Sequence, residues 1–590
     1  MQRGKARSYS TVLGSELARS ELGRAMHACR GAIVGVALMS CMVNLLYLTG
    51  SVFMLEIYDR VLPSRSISTL VGLTVLAGGL YVAQGILDLI RGRILVRIGT
   101  TLDEALSGRV FGAVVRLPLV SSGNEGLQPL RDLDSVRSFL SGMGPSALFD
   151  LPWLPVYLAI CFVFHPLIGM TALIGAVILI ALTVATEYLT RIQSVGGVGL
   201  AAHRSDIASA SHRNAEVLRA MGMSRHLMMQ WTDINRKYLS GSQRTNDVAG
   251  GLGAVAKVFR MALQSAVLGV GAYLVIHQEA TAGIIIAGSI LSARALAPVD
   301  LAIANWRGFV AARQSWQRLN GLLKLLPPEG EPILLDPPSQ RLSVENISVI
   351  PPGDERVVVH DVTFALEAGH GLGIIGPSGS GKSSLLRALV GVWLPARGTV
   401  RLDAAALNQW SAHSLGRHIG YLPQDVELFA GSVAQNICRH NPDARADAII
   451  AAAKQAGVHE LIVGMREGYD TQIGAHGSVL SAGQAQRIAL ARALYGDPFL
   501  IVLDEPNSNL DAEGDAALTR AIRAARDRGA IVIVVAHRPV GIEAVDLLLV
   551  MKEGRLQAFG VKETVLGQVL QRSPHPSPIK IVADAGAAKP

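Results

Sequence analysis

The sequence predicts an α-helical membrane domain with six spans, fused to an α/β domain that carries a phosphate-binding loop. The N-terminal half contains six apolar segments, each close to the roughly 20 residues that a bilayer span requires. One loop in the C-terminal half matches the pattern G-x-x-x-x-G-K-[ST]. A proline-rich stretch separates the two halves, and beyond it short β-branched runs alternate with helical ones.

Composition supports a large membrane portion. Charged residues make up only 17% of the 590 residues and hydrophobic residues make up 50%, whereas soluble proteins usually have about 25% charged residues. The net charge of +8 is explained by basic loops on the inner side of a membrane and by contact with membrane lipid. No basic run with interleaved aromatic residues is present, so we expect no nucleic-acid partner.

Neither a disulfide framework nor a metal site is predicted from the cysteines. The four are scattered, without a C-x-x-C pair or a histidine at ligand spacing. Residues 1–30 are basic, and the apolar stretch that follows lacks a clean small-residue cleavage site. We therefore interpret residues 1–30 as a cytoplasmic tail, and we expect it to be a disordered basic arm.

The predicted transmembrane domain covers residues 31–326. Arginine and lysine are concentrated between spans two and three and between spans four and five, so the positive-inside rule places both termini in the cytoplasm. These long segments have helical patterning, and we expect them to extend the membrane helices into the cytoplasm. Independent loop domains are less favoured, because neither segment is long enough for its own core. The spans are predicted near residues 31–55, 68–90, 146–164, 167–188, 252–276 and 281–303.

The C-terminal half is predicted to be an α/β domain over residues 341–572. Residues 327–340 are rich in proline and form a stiff linker. Residues 573–590 contain proline and alanine but few apolar anchors, so we expect a disordered tail.

The phosphate-binding loop follows an apolar run that is typical of a buried strand, and it precedes a helical run. A chance glycine-rich turn rarely has both flanks. Its glycines let successive N–H groups point at phosphate oxygens, and the helix adds the positive end of its dipole. Lys382 is expected to reach the β- and γ-phosphates of ATP, and Ser383 to ligate Mg²⁺. The loop consists of Gly376, Pro377, Ser378, Gly379, Ser380, Gly381, Lys382, Ser383 and Ser384.

Two carboxylates end a second buried run at residues 499–503. Asp504 at the strand end suits Mg²⁺ coordination, directly or through water. Glu505 points to the other face and is predicted to act as the general base on the attacking water. An apolar run ending in two acids is weak by itself, but its position after a good phosphate-binding loop strengthens it.

A third motif makes a family resemblance specific. The α/β domain resembles the nucleotide-binding domain of ABC transporters, whose LSGGQ signature is matched with alanine in place of the first glycine. In that family the signature of one protomer closes over ATP that is held by the phosphate-binding loop of another. The matching residues are Leu480, Ser481, Ala482, Gly483 and Gln484.

The same resemblance implies roles for further residues. It assigns Gln424 to a loop that senses Mg²⁺ and couples to the membrane domain, and His537 to a switch at the γ-phosphate. Ser508-Asn-Leu-Asp511 corresponds to the D-loop, which crosses the dimer. ABC domains often stack adenine on an aromatic residue, but Pro351 stands about where it would fall. We therefore expect ATP to be held mainly by its phosphates.

One phosphate-binding loop and six spans make half a transporter, so a homodimer is the simplest assembly. The chain also resembles the permease/ATPases of type I secretion systems, especially the subgroup that exports proteases and other proteins with C-terminal signals. The stretches that carry this resemblance are Tyr58-Asp-Arg-Val-Leu-Pro-Ser64, Phe149-Asp-Leu-Pro-Trp-Leu-Pro155, Phe164-His-Pro166, Arg294-Ala-Leu-Ala-Pro298, Gly420-Tyr-Leu-Pro-Gln-Asp-Val-Glu-Leu-Phe429 and Asp504-Glu-Pro-Asn-Ser-Asn-Leu-Asp511.

This second resemblance implies an ATPase of the bacterial inner membrane that works with a periplasmic membrane-fusion adaptor and an outer-membrane channel. The cargo would be an unfolded protein that is signalled from its C-terminus. Export of a lipid or drug by the same architecture is the main alternative. A soluble-type ABC ATPase that acts on DNA or ribosomes is opposed by six spans with a coherent charge asymmetry.

Overall fold

The computed structural model describes residues 21–121, 126–328, 335–474, 479–536 and 542–572. These residues form two compact units. The helical unit contains the described residues up to 114 and those from 126 to 326, and the α/β unit contains residues 115–121 and those from 327 onward.

The helical unit consists of helices, several of them very long. Among the described residues, six stretches are long and apolar enough to cross a membrane, which confirms the predicted number of spans. The helices are α1 Glu21–Ala28, α2 Arg30–Leu46, α3 Thr49–Glu56, α4 Leu62–Ser64, α5 Ile67–Val120, α6 Gln128–Ser141, α7 Gly144–Asp150, α8 Leu154–Phe164, α9 Pro166–Arg213, α10 Ala215–Ala220, α11 Ser224–Ile276 and α12 Ala282–Leu325.

Three helices extend well beyond the length of a bilayer. Helix α5 has 54 residues, α9 has 48 and α11 has 53. At a rise of about 1.5 Å per residue, the longest reaches about 80 Å, more than twice the roughly 30 Å of a hydrocarbon core. The predicted helical extensions of the membrane spans are therefore present.

Two predicted spans are not single helices. The segment predicted at 146–164 consists of α7, a 3₁₀ turn at Leu151–Trp153 and α8. Pro152 and Pro155 account for the interruption, because proline lacks the N–H that continues a helical ladder. The first span is divided into α2 and α3, and a π-helical turn at Ile57–Val61 leads into α4.

The expectation of a disordered tail is wrong for its last part. Residues 21–28 form helix α1. Leu22 is only 1% exposed, and the Glu21 carboxylate lies 3.1 Å from Nε of Arg109 in α5. Burial of one apolar side chain together with an ion pair offsets the entropy cost of ordering this segment. Residues 1–20 lie outside the described part of the chain.

A buried polar cluster joins α2, α5 and α7. The Arg91 guanidinium lies 2.8 Å from the Asp88 carboxylate and 3.2 Å from that of Asp150, and it donates to Oγ of Ser40 at 3.0 Å. The Asn44 amide donates to Asp150 at 2.7 Å. We call these five residues the Arg91 cluster. Its members satisfy one another, as buried charges require.

The α/β unit contains two sheets. One has the strand order β2-β1-β4-β5, and the other has the order β10-β9-β3-β8-β7-β6. The strands are β1 Arg341–Val349, β2 Val359–Glu367, β3 Gly371–Ile375, β4 Arg397–Leu402, β5 Ala405–Ala406, β6 Ile419–Leu422, β7 Leu500–Asp504, β8 Ile531–Val535, β9 Leu547–Lys552 and β10 Arg555–Val561. The helices are α13 Lys382–Leu389, α14 Ala412–His418, α15 Val433–Ile437, α16 Ala446–Gln455, α17 His459–Val463, α18 Ala482–Leu494, α19 Ala512–Asp527 and α20 Lys562–Arg572.

The centre of the six-stranded sheet is fully buried. Every residue of β7 and β8 is buried, and so is all of β3 except Ile375. These strands pair in parallel, and continuous apolar runs are typical of parallel strands that are covered on both faces. The phosphate-binding loop and the paired carboxylates thus begin at the ends of rigid strands.

Replacement of Arg91 should destabilise the helical unit. Arg91→Met leaves the Asp150 carboxylate, 9% exposed, without its buried cation. We expect the free energy of unfolding to fall by about 3–5 kcal/mol. Thermal unfolding in detergent micelles measures the change. Arg93→Met on the same helix is the control, because Arg93 is exposed. Equal unfolding temperatures for the two variants would contradict the importance of the cluster.

Candidate nucleotide-binding site

Most of the predicted site residues follow the carboxyl ends of neighbouring parallel strands. Val535 of β8 is paired with Ile374 of β3 on one side and with Asp504 of β7 on the other, while Leu422 of β6 is paired with Leu503. The four strands therefore end at one edge of the sheet, where open α/β sheets bind their ligands. The predicted switch at His537 lies outside the described residues.

The phosphate-binding loop has the backbone conformation that its glycines allow. Gly379 has φ of 76° and Gly381 has φ of 90°. A Cβ on Gly381 would lie 2.7 Å from the carbonyl oxygen of Val358, so a side chain is excluded there on two grounds. The Oγ of Ser380 is buried and has no hydrogen-bond partner. Helix α13 begins directly after the loop, and its first N–H groups are available to an anion.

Lys382 lies folded against its own loop. Its ammonium donates to the carbonyl oxygens of Gly376 at 2.9 Å and Pro377 at 2.8 Å. Burial lowers the pKa of this ammonium, while the carboxylates of Glu505 and Asp504 act to raise it. The cation is thus held at the loop where a phosphate group would bind, and the carbonyl contacts are ones that a phosphate could replace.

Asp504 has the features of a cation ligand. Its residue is 2% exposed, and burial raises the pKa of the carboxyl, with a hydrogen bond from Ser383 acting in the opposite direction. Its Oδ1 atom is buried and has no hydrogen-bond partner. An open carboxylate oxygen beside a serine hydroxyl is the type of oxygen ligand set that Mg²⁺ prefers. The residues present therefore fit a magnesium ion.

Glu505 occupies a strained position at the end of β7. Its φ is 50°, which is uncommon for a residue other than glycine. Its N–H donates to the carbonyl oxygen of Val535 at 3.1 Å, which fixes this turn to the neighbouring strand. The side chain lies close enough to Lys382 to affect the pKa of that ammonium.

The signature residues form the start of α18. Ser481 is the N-cap: its Oγ accepts from the N–H of Gln484 at 3.3 Å, and the Gln484 side chain accepts from the N–H of Ser481 at 3.0 Å. This reciprocal capping box fixes the helix start. Ala482 at the first turn is exposed, and Leu480 packs against the core. Among the described residues, no hydrogen bond joins this segment to the phosphate-binding loop.

A residue that the sequence reasoning missed, Gln486, organises the loop after Glu505. Gln486 is 2% exposed. Its amide nitrogen donates to the carbonyl oxygens of Pro506 at 2.5 Å and Glu505 at 3.3 Å, and its amide oxygen accepts from the N–H of Asn509 at 3.1 Å. A polar residue four positions before the buried Leu490 was the available signal, because that spacing places it on the core face of a helix.

The remaining predicted residues have local structural contacts or lie open. Asp511 caps α19 by accepting from the N–H of Gly514 at 2.8 Å, and this bond, together with Arg487, lowers the pKa of the Asp511 carboxyl. Oγ of Ser508 lies 3.4 Å from the amide nitrogen of Gln486.

Gln424 is exposed and lies two residues after β6. Pro351 follows β1 in a turn, where its carbonyl oxygen accepts from the N–H of Asp354 at 3.1 Å. How the adenine base binds near this turn stays a prediction.

Comparison with known proteins agrees with the two-part architecture. Residues 33–299 match the family described as ABC transporter transmembrane region, and residues 359–508 match the family described as ABC transporter. The type I secretion system ATP-binding protein PrsD of Rhizobium meliloti is 59% identical over 96% of this chain and 98% of that protein.

More distant similarities extend along most of the chain. The alpha-hemolysin translocation ATP-binding protein HlyB of Escherichia coli is 28% identical over 91% of this chain and 77% of that protein. The solved structure of a bacterial Atm1-family ABC exporter with ATP bound has a TM-score of 0.74 and 21% identity, covering 93% of this chain and 99% of that one. At that identity the structural match shows a shared fold.

Asp504 should make the nucleotide-free protein less stable at neutral pH. Because burial raises its folded pKa above the ordinary value of 3.8, its stabilising contribution is present below that value and is lost as pH rises through the raised one. Asp504→Asn should therefore raise the unfolding temperature at neutral pH, the gain should shrink on acidification, and ATP hydrolysis should be abolished. Calorimetry without nucleotide and phosphate release measure these effects, with the exposed Asp527→Asn as control. An unfolding temperature below that of the parent protein would contradict the cost of burial.

Loss of the Gln486 amide should loosen the loop at residues 505–509. Gln486→Leu leaves the backbone groups of Glu505, Pro506 and Asn509 without their partner, and we expect a loss of about 1–3 kcal/mol in the free energy of unfolding. Hydrogen exchange of the Asn509 amide should accelerate. The control is Gln472→Leu, at an exposed position. Unchanged exchange at Asn509 would show that the loop is fixed by other contacts.

Proposed function

This chain belongs to the ABC transporter family, and we propose that it is the ATP-driven permease of a type I secretion system that exports an unfolded protein with a C-terminal signal. The observation that carries the proposal is the 59% identity to a type I secretion system ATP-binding protein along 98% of its length. The six apolar helical stretches agree with it, because a chain that is both membrane-spanning and ATP-binding can couple hydrolysis to transport.

The proposed chemistry is hydrolysis of the terminal phosphate of ATP. Loop N–H groups and Lys382 bind the phosphates and offset their charge. Mg²⁺ would be held by Ser383, Gln424 and Asp504, where it would neutralise charge on the phosphate oxygens. Glu505 takes a proton from the attacking water, and His537 contacts the γ-phosphate.

We propose that each ATP lies between two copies of this chain. The exposed start of α18 provides N–H groups and the positive end of a helix dipole, which favour the phosphates of ATP on the partner. Ser508 and Asp511 belong to the loop that crosses the dimer. In this arrangement the signature residues complete a site that one chain alone leaves half-built. They are Leu480, Ser481, Ala482, Gly483 and Gln484.

The proposed location is the bacterial inner membrane with both termini in the cytoplasm. The basic segments between spans two and three and between spans four and five support this orientation. A periplasmic membrane-fusion adaptor and an outer-membrane channel would complete the route to the medium. A homodimer would supply the two ATP sites and the two halves of the membrane pathway.

The proposed base and lysine roles separate by substitution. Glu505→Gln should keep ATP binding and lower hydrolysis by about a hundredfold or more, so that a closed dimer accumulates with ATP. Lys382→Ala should instead weaken nucleotide binding itself, because the donor to the phosphates is lost. Binding of a fluorescent ATP analogue and phosphate release distinguish the two. Hydrolysis near the parent rate in Glu505→Gln would show that another group is the base.

Export is tested in the cells that carry the chain. Deletion should remove at least one protein from the culture medium, and the parent chain, but not Glu505→Gln, should restore it. Mass spectrometry of the medium identifies the missing protein. An unchanged set of secreted proteins, together with altered lipid distribution or drug sensitivity, would assign the chain to lipid or drug export instead.

A further inference from the structure

A polar cavity of about 580 Å³ lies within the helical unit. It is formed mainly by residues of α2, α5, α7, α8 and α12, and none of its lining residues belongs to the nucleotide site. Its size falls within the range of cavities that hold small ligands or short chain segments. Its main polar lining consists of Asn44, Tyr47, Asp88, Arg91, Asp150 and Arg294.

The two arginines of this cavity differ in their partners. Arg91 is neutralised by Asp88 and Asp150, as described for the Arg91 cluster. Arg294 is exposed, and its guanidinium carbon lies 4.4 Å from the centre of the Tyr47 ring. Within the described part of the chain, no hydrogen bond or ion pair involves the Arg294 guanidinium. Stacking on a ring restrains the guanidinium and leaves the N–H groups at its edge available to a ligand.

The backbone of the same residue offers an acceptor. Pro298 lies four residues after Arg294, within α12, and it also lines the cavity. Proline has no N–H, so the Arg294 carbonyl lacks its usual helical donor from that position. One residue of the cavity thus presents a cationic fork of donors and a carbonyl acceptor that the helix does not use.

We propose that Arg294 binds an acidic side chain of the exported polypeptide while its carbonyl oxygen accepts a backbone N–H from the same segment. This inference rests on the proposed function. A guanidinium binds a carboxylate through two parallel N–H···O bonds, and an extended peptide supplies both a carboxylate and an N–H. A phospholipid phosphate matches the guanidinium alone. The geometry therefore points to an acidic peptide segment, and a lipid headgroup becomes an outcome of the test.

The test compares two short peptides on the purified full-length protein in phosphatidylcholine nanodiscs. One peptide alternates glycine with aspartate, and the other has asparagine at each aspartate. Calorimetry should show that the parent protein binds the aspartate peptide roughly tenfold more tightly. Arg294→Gln should remove this preference, and Arg294→Lys should keep part of it, because lysine retains the charge without the fork. Lys257→Gln, at an exposed cation that does not line the cavity, should keep all of it.

Two further variants test the geometry independently of the charge. Tyr47→Leu removes the stacking surface and should reduce the preference without removing the cation. Pro298→Ala supplies a helical donor to the Arg294 carbonyl, so it should weaken binding of both peptides and leave their ratio unchanged. Elution profiles and unfolding temperatures check that each variant is folded.

Three results would overturn the inference. The parent protein could fail to distinguish the peptides, or Arg294→Gln and Tyr47→Leu could both keep the full preference. The preference could also disappear in nanodiscs that contain phosphatidylglycerol, which would assign Arg294 to lipid phosphate. Any of these results with normal protein secretion refutes the role of Arg294 alone, whereas failure of the culture-medium experiment refutes the proposed export.

Discussion

The nucleotide site depends on the parallel register of β3, β8 and β7. Val535 is paired with Ile374 on one side and Asp504 on the other, so the phosphate-binding loop and the paired carboxylates begin at the same level of the sheet. Successive side chains of a strand point to opposite faces, and a slip by one residue would exchange Asp504 with its apolar neighbour Leu503. The buried apolar strands that fix this register therefore also determine where Lys382 and Glu505 can act.

The site combines this rigid frame with charges that are costly without a ligand. Asp504 is an almost fully buried carboxylate with an open oxygen atom, and Lys382 is a buried ammonium held only by loop carbonyls. Burial disfavours both charged forms. Ligands that carry the opposite charge offset this cost at the moment they bind, which couples the stability of the domain to occupation of the site.

The helical unit separates charges that hold the structure from a charge that is left open. The Arg91 cluster is closed, because its cation has two carboxylate partners and Asp150 also accepts from Asn44. Arg294 lines the same cavity but rests on an aromatic ring rather than on a carboxylate. A buried ion pair of the first kind is structural, whereas an available guanidinium beside a cavity is a binding group. The difference between them lies in their partners.

The sequence alone determined the domain order, the number of spans, the phosphate-binding loop and the signature, because each depends on local periodicity or on a fixed spacing of residues. It also predicted the helical extensions, since hydrophobic and charged patterns continue past the spans. Only the tertiary structure revealed that Gln486 holds the loop after Glu505, that Leu22 and Glu21 order part of the tail, and that Arg91 is paired while Arg294 is not. These contacts join residues that are separated along the chain or that face a particular loop, and composition and periodicity do not specify which distant partner a polar side chain meets.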